Sequence, residues 1–342
     1  MGSTNEHRDD PIVSVCVQTY QHAPYIQQAL DSILMQKTEF PFEILIGEDE
    51  STDGTREICI EYANKYPDII RLFLNSRKNV IYINGHPTGR WNFMNNLKNT
   101  RGKYIANLPG DDYWTDPQKL QKQFDVLERH NEIVACHHWH AYKYEDGRKN
   151  LGTPKKGKGY YPKRIATIKD IFAKRLEIKF RTIMFRNIIH DNFFPDWFMN
   201  VLFGDIPFSF LLGQYGDFYF IDEPMAVYRI TGKGLSTAGK TYMNKSSWAK
   251  ELNYNWIQIW REANNYYNYQ YNREAIHTII EFYKAVLESH QYSWKAFFDT
   301  CANNFGKTTD HISNRLVIAY SLLKCMIIRL PFRNLSSKLG IR

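Results

Sequence analysis

The stretch Tyr104-Ile105-Ala106-Asn107-Leu108-Pro109-Gly110-Asp111-Asp112-Tyr113-Trp114 constrains this chain more than any other. Tyr104 to Leu108 reads as a short buried strand that stops at Pro-Gly and delivers two adjacent carboxylates into a turn. Asp116-Pro117 then reads as the N-cap and first position of a helix. Strand, carboxylate-bearing turn and helix in that order belong at the carboxyl edge of an open α/β sheet, where such sheets bind their ligands. Clustered carboxylates on a tight turn suit a hard divalent cation. Taken alone, an Asp-Asp pair is equally well a solvated turn.

The same alternation runs through the first two-thirds of the chain. Ile12 to Val17 is a nearly continuous apolar run, expected of a strand buried on both faces, and it ends at Gln18-Thr19-Tyr20. From Pro24 to about Gln36, the residues Ile26, Ala29, Leu30, Ile33 and Leu34 fall at helical spacing. Phe42 to Gly47 is a second buried strand running into the acidic, turn-rich Glu48-Asp49-Glu50-Ser51-Thr52-Asp53-Gly54-Thr55, and Ile58, Tyr62 and Ala63 mark the next helix. Ile70 to Leu74 gives a third strand, Trp91 to Leu97 a helix, and Leu120, Phe124 and Leu127 the inward face of the helix at Pro117. Strands alternating with amphipathic helices predict an α/β fold with a mostly parallel central sheet flanked by helices.

Further on, Glu132 to Tyr144 reads as a strand, Thr167 to Lys174 as a short helix and Thr182 to Phe185 as a strand. Gly204-Asp205 opens a helix to Leu212, and Phe218 to Ile221 and Met225 to Tyr228 read as a strand pair around Glu223-Pro224. Lys155 to Arg164 is a basic, glycine-bearing loop, and 230–245 a second flexible one. Beyond about 245 glycine and proline almost vanish, and periodic Trp, Tyr, Leu and Ile predict an all-helical C-terminal region. The expected division is a disordered lead at 1–10, an α/β domain at 11–244 and a helical region at 245–342.

Composition narrows the partners. A chain of 342 residues, 43% hydrophobic, buries one large core or two moderate ones. The net charge of +8 favours anionic partners. The basic residues are dispersed and no DNA or RNA module is present, so nucleic acid is not expected. Five cysteines (Cys16, Cys59, Cys136, Cys301 and Cys325) show no paired or C-x-x-C spacing, which argues against a disulfide framework and a structural zinc site. Cys136, His138 and His140 share one strand face, but three such closely stacked residues rarely make a tetrahedral site. A place in the wall of an acceptor pocket suits that strand better. Met1 to Asp10 holds no apolar stretch that would act as a signal, and no run of about 18 apolar residues occurs anywhere. The expected location is therefore cytoplasmic.

Three strand-end features converge on one sheet edge: Gln18-Thr19-Tyr20, Glu48-Asp49 with Ser51-Thr52-Asp53-Gly54, and Asp111-Asp112. Together they resemble the ordered motifs of a family 2 glycosyltransferase of the GT-A fold, over roughly residues 11–240. Gln18 stands where that family's opening strand carries proline, and Pro109 stands where its D-x-D motif begins with an acidic residue. The resemblance implies an inverting transfer of a sugar from a nucleotide-diphosphate donor, UDP-linked by expectation, to a hydroxyl of a glycan or lipid-linked acceptor in bacterial surface-polysaccharide synthesis. It implies Mn²⁺ or Mg²⁺ at Asp111, with Asp112 beside it as a second metal residue, and Asp205 as the base that takes the acceptor proton. It places Thr19, Tyr20 and Asp49 at the base and ribose, with Glu48 their neighbour. Arg90 is a candidate for a phosphate or ribose contact. Tyr228-Arg229-Ile230-Thr231-Gly232-Lys233-Gly234 resembles the closing loop over the diphosphate, so Arg229 and Lys233 are expected to neutralise the leaving group. A degenerate nucleotide-sugar-binding subunit without turnover is the alternative, and Pro109 speaks for it.

At the C-terminus, Leu316 to Ile328 forms a strongly apolar helix punctuated and flanked by Arg315, Lys324, Arg329, Arg333, Lys338 and Arg342. A basic, apolar helix of this kind at 315–342 suits the membrane interface at the inner face of the cell membrane. Packing on its own domain or on a partner subunit is the other use of such a helix, and a homo-oligomer stays open.

Overall fold

The computed structural model describes residues 10–147, 163–232, 245–306 and 311–329. Most of the basic loop at 155–164, Lys233 and the end of the C-terminal helix lie outside the described residues. The described chain divides into two compact units, with breaks at Ile168/Lys169, Lys174/Arg175 and Thr231/Gly232.

The first unit is built on β1 (Val13–Thr19), α1 (Ala23–Leu34), β2 (Phe42–Glu48), α2 (Thr55–Lys65) and β3 (Ile70–Leu74). There follow β4 (Ile81–Ile83), β5 (His86–Thr88), α3 (Arg90–Lys98), β6 (Tyr104–Asn107), β7 (Tyr113–Trp114), α4 (Lys119–Arg129) and β8 (Ile133–Tyr144). Next come β9 (Ile165–Ala166), α5 (Ile168–Phe172, which from Lys169 on belongs to the second unit), β10 (Met184–Arg186), α6 (Asp196–Met199), α7 (Asp205–Leu212) and β11 (Asp217–Ile230). The strands join in one sheet of order β3-β2-β1-β6-β10-β8-β11-β7, with β9 against β11. β3, β2, β1 and β6 run parallel, β10 is antiparallel to both neighbours, and β11 runs parallel to β8.

Alternation along the parallel strands explains why both faces are dry. Val13, Val15 and Val17 with Ile44 and Ile46 pack in the same cluster as Ile26, Leu30, Ile33 and Cys59 of α1 and α2. On the opposite face the strand carbonyls meet α3, where Asn92 Nδ2 donates to Gly47 O at 2.8 Å and Asn96 Nδ2 to Val17 O at 3.0 Å. Those amides dock a helix onto the strands by hydrogen bonds where apolar side chains are the usual means.

Three details depart from the sequence reading. The helix expected from Pro117 begins at Lys119. The Pro117 carbonyl accepts from Lys37 N at 2.8 Å and the Asp116 carbonyl from Gln36 Nε2 at 2.8 Å, so this pair is bolted to the end of α1 and does not open α4. The strand pair expected around Glu223-Pro224 is one strand, β11, whose register to β8 shifts on either side of Pro224. Proline has no N–H to give a ladder, and a bulge absorbs it. Finally, β4 and β5 form a hairpin through Asn84 (φ 51°) and Gly85 (φ 77°), the left-handed pair of a tight hairpin turn.

The second unit holds residues 169–174 with α8 (Lys245–Tyr266), α9 (Asn272–Ser289), α10 (Trp294–Phe305) and α11 (Ile312–Arg329). Its core includes Trp260, Ile279, Phe282, Tyr283 and Val286. Trp260 Nε1 and Thr278 Oγ1 both donate to the Phe172 carbonyl, at 2.8 and 2.7 Å.

Candidate active site

The Asp-Asp turn is fastened to the end of β1. Leu108 N donates to Cys16 O and Gly110 N to Gln18 O, both at 2.9 Å, so the β6 ladder continues past Pro109 into the turn. Gly110 is required there: a Cβ on it would stand 2.7 Å from Thr19 Oγ1 and 3.1 Å from His22 Nδ1. Thr19 is buried, and its hydroxyl lies 3.2 Å from His22 Nδ1. Burial pushes the His22 imidazole down to about 4, against the pull of Asp112 and Asp53, so it is neutral near pH 7.

The two aspartates have different surroundings. Asp112 is buried and both its oxygens are engaged: Oδ2 accepts from Arg181 Nε at 2.5 Å and Oδ1 from Arg229 N at 2.9 Å. Burial pushes its carboxyl up to about 6, Arg181 pulls it back and Asp111 adds to the rise. Asp111 is half-buried and has no ion pair among the described residues. Its carboxyl is also pushed above the usual range by burial, against the pull of Arg181 and Arg229. A carboxylate that cations pull on from a distance but none grips directly is a fitting ligand for a bound cation. Asp112 already accepts one hydrogen bond at each oxygen, from Arg181 and from the Arg229 amide, so Asp111 is the less committed of the two aspartates. Among the described residues no group of three His, Cys, Asp or Glu side chains stands ready to hold a metal. Asp111 is the residue of this turn that would hold a divalent cation.

A second part of this edge is assembled from β1, β2 and the loop after β3. Asp49 N donates to Thr19 O at 3.1 Å, and Asp49 Oδ1 accepts from Asn75 Nδ2 at 3.1 Å. Burial raises the Asp49 carboxyl above its usual range, opposed by Asn75 and Asn92. Tyr20 is exposed, with the Arg77 guanidinium 4.0 Å from its ring centroid. Glu48, expected beside Asp49, is turned instead to α2: Oε1 accepts from Ser51 N at 2.7 Å and Oε2 from Arg56 Nε at 2.5 Å. The Ser-Thr-Asp-Gly-Thr loop is structural too. Asp53 accepts from Ala23 N and from Thr55 N, Ser51 Oγ from Gln21 N, and Thr55 Oγ1 from His22 N, clamping the β2–α2 loop to the β1–α1 turn. Gly54, at φ 100°, supplies the left-handed residue that starts α2.

Asp205 opens α7. Its Oδ1 accepts from Ile206 N at 3.0 Å, and Oδ2 lies 3.4 Å from Lys179 Nζ. Burial pulls the Lys179 ammonium down, but Asp205 and then Glu177 outweigh it, so its pKa lies above the ordinary lysine value. Arg90 is buried, and its guanidinium donates to the carbonyls of Phe198, Val201 and Phe203, the last two at 2.8 Å. Burial pushes it down to about 10. Its donors are spent on the backbone that leads into Asp205, which it holds in place.

Sequence reasoning missed Arg181 and Lys179. The segment Lys179-Phe180-Arg181 reaches Asp205 with one cation and Asp112 with the other, tying the Asp-Asp turn to the start of α7. The Arg181 guanidinium stands 3.9 Å from the Tyr228 ring centroid, and His140 and Tyr142 complete an aromatic edge beside it. The alternating Lys-Phe-Arg was the available signal, and it names no partner. Arg229, expected over the leaving group, is buried between Tyr25 and Tyr113 and bonded to Glu145 and Gln28, so it anchors the root of the closing loop.

The family model described as "Glycosyl transferase family 2" matches residues 14–193, more than half of the chain. This chain belongs to glycosyl transferase family 2. An uncharacterised protein of Mycobacterium tuberculosis is 34% identical to it over 230 residues, 66% of this chain and 59% of the relative. The chain thus spans about three-fifths of that relative's length. Among solved structures, it is similar to the mannosyltransferase PcManGT of Pyrobaculum calidifontis, in complex with GDP-Man and Mn²⁺, at TM-score 0.52 and 15% identity, covering 96% of this chain and 84% of that one. S. aureus TarS 1–349 in complex with UDP-GlcNAc aligns at TM-score 0.50 and 16% identity, covering 92% of each chain. These likenesses show the fold, which is GT-A. The β1 end, the β2 loop and the Asp111 turn described above all lie within the residues that the family model matches.

Proposed function

We propose that this family 2 chain is an inverting glycosyltransferase that moves a sugar from a nucleotide-diphosphate donor, UDP-linked, to a hydroxyl of a glycan or lipid-linked acceptor. The observation that carries this is the Lys179–Arg181 segment, which joins the turn bearing Asp111 to the helix start bearing Asp205. The nucleotide sugars in the PcManGT and TarS structures support the donor class.

Thr19, Tyr20 and Asp49 hold the nucleoside, and Asp111 faces the diphosphate. Asp111 would hold a Mn²⁺ or Mg²⁺, which when bound would supply Lewis-acid stabilisation of the leaving charge. The acceptor oxygen bonds to the anomeric carbon, the bond from that carbon to the phosphate oxygen breaks, and the nucleoside diphosphate leaves with the electron pair. Asp205 takes the hydroxyl proton. Lys179 fixes one Asp205 oxygen, Ile206 N the other, and Arg90 fixes the backbone behind them. Lys233, beyond the described residues, is left as the closing-loop cation, since Arg229 is committed elsewhere. We place the reaction in surface-polysaccharide synthesis at the inner membrane face, with the basic C-terminal helix meeting the membrane.

The test is transfer of labelled sugar from a panel of UDP- and GDP-sugars to lipid and glycan acceptors. Asp205→Asn is expected to lower transfer by about 10²- to 10⁴-fold with nucleotide affinity unchanged. An Asp205→Asn enzyme as active as the parent would remove Asp205 from the mechanism. Nucleotide binding with no transfer to any acceptor would favour the non-catalytic sugar-nucleotide-binding subunit, for which Pro109 is the observation.

A further inference from the structure

We infer that the outer face of α11 is a docking surface for an anionic lipid bilayer, on which the second unit lies without crossing. α11 has two apolar faces. Ile318, Leu322 and Met326 are fully buried and secure it in the unit. Ile312, Leu316, Tyr320, Leu323 and Ile327, at spacings of four, four, three and four, form a second stripe, exposed from 38% at Leu323 to 71% at Ile312. Soluble helices keep one apolar stripe, and a second exposed one marks an interaction surface. α10, which packs against α11, adds exposed Trp294 and Phe298 one turn apart, ring types favoured at the level of lipid headgroups.

Charge selects the occupant. From Ile312 to Arg342 the sequence holds six basic residues and no acidic one. Arg315 and Lys324 lie on the described helix, and Lys324 is exposed. An anionic surface answers the exposed Lys324 and suits a sequence that is basic and free of acidic residues from Ile312 on. Among the described residues no helix is long and apolar enough to cross a membrane, so the stripe rests in the interface. The inference rests on the proposed lipid-linked acceptor for its purpose, since such a surface brings the chain to that substrate, but its geometry does not depend on turnover.

The experiment is co-sedimentation of the intact chain with vesicles of phosphatidylcholine alone, or with a third of it replaced by phosphatidylglycerol, at low and high salt. Expected is a partition onto anionic vesicles at least about tenfold above that onto neutral ones, as one to two basic side chains near the surface provide, and its loss at high salt. Tyr320→Glu/Ile327→Glu changes only exposed positions and is expected to abolish pelleting while leaving the thermal melt and nucleotide titration unchanged. Lys324→Glu, a milder variant, is expected to weaken it several-fold. Equal pelleting with both lipids, none with either, or a double variant that pellets like the parent would overturn the inference. So would a dimer in light scattering that the double variant dissolves. A chain that binds vesicles but transfers no sugar would leave the surface standing and count against the proposed reaction alone.

Discussion

Arg181 shows how a buried charge is made tolerable at a functional turn. Asp112 sits in the interior and depends on the Arg181 guanidinium and the Arg229 amide for its two oxygens. Arg181→Met strips the cation and leaves Asp112 buried and unpaired, an expected cost of about 3–5 kcal/mol, read as a lower urea midpoint. Combining it with Asp112→Asn removes the stranded charge, and the double variant is expected to recover most of that loss. Lys179→Met acts on Asp205 instead: kcat/KM is expected to fall about tenfold, equivalent to about 1.4 kcal/mol, with nucleotide affinity unchanged in a binding titration. At this scale the sequence proposes Asp111 and Asp205, because motif and position mark them. It could not disclose Arg181, whose partner lies 69 residues away, nor that Glu48, Arg90 and Arg229 are spent on the fold. Side-chain partners are set by tertiary approach, which residue spacing does not record.

The elements approach each other closely at two glycines. A Cβ at Gly102 would stand 2.6 Å from Ser14 N and 2.9 Å from Val13 C, backbone atoms of β1 that cannot swing aside. Gly102→Ala is therefore expected to push β6 from β1 and cost about 2–3 kcal/mol in thermal or urea unfolding. At Gly110 the near atoms are Thr19 Oγ1 and Cβ, at 2.7 and 2.8 Å, and His22 Nδ1 at 3.1 Å. Gly110→Ala is expected to displace the Asp111 turn and weaken nucleotide binding at least about tenfold, equivalent to about 1.4 kcal/mol. Most elements were legible as apolar runs and helical spacings, because β1, β2 and β6 are buried on both faces and their sequences say so. The β4–β5 hairpin announced itself only through Asn84-Gly85, and the late start of α4 through nothing local, since Lys37 and Gln36 capture the carbonyls of Pro117 and Asp116.

For the whole molecule, global stability carries a signature of buried neutral histidine. His137 is buried on β8 against Phe220, and burial alone pushes its imidazole down to about 3. Its value in the unfolded chain is about 6.5. Between those values the unfolded chain holds a proton that the folded chain does not, so stability is lost as pH falls below about 6.5. His137→Phe removes that proton from the balance. Its unfolding free energy is expected to fall less steeply with acidification, by about 1.4 kcal/mol per pH unit between about pH 5.5 and 3.5, measured by urea titrations across that range. The change from an α/β unit to a helical one was legible in the loss of glycine and proline beyond about residue 245. The return of residues 169–174 to the second unit was not, because it rests on carbonyl and ring contacts of Phe172. The central claim is that Asp111, at the strand-end turn, holds the diphosphate of a nucleotide donor with a divalent cation. Calorimetric titration of the parent chain and Asp111→Ala with UDP and GDP, in Mn²⁺ or in EDTA, tests it most directly. Expected is binding of one nucleotide that weakens at least about tenfold, equivalent to about 1.4 kcal/mol, both in EDTA and in Asp111→Ala. Binding of neither nucleotide, or binding indifferent to both metal and Asp111, would contradict it.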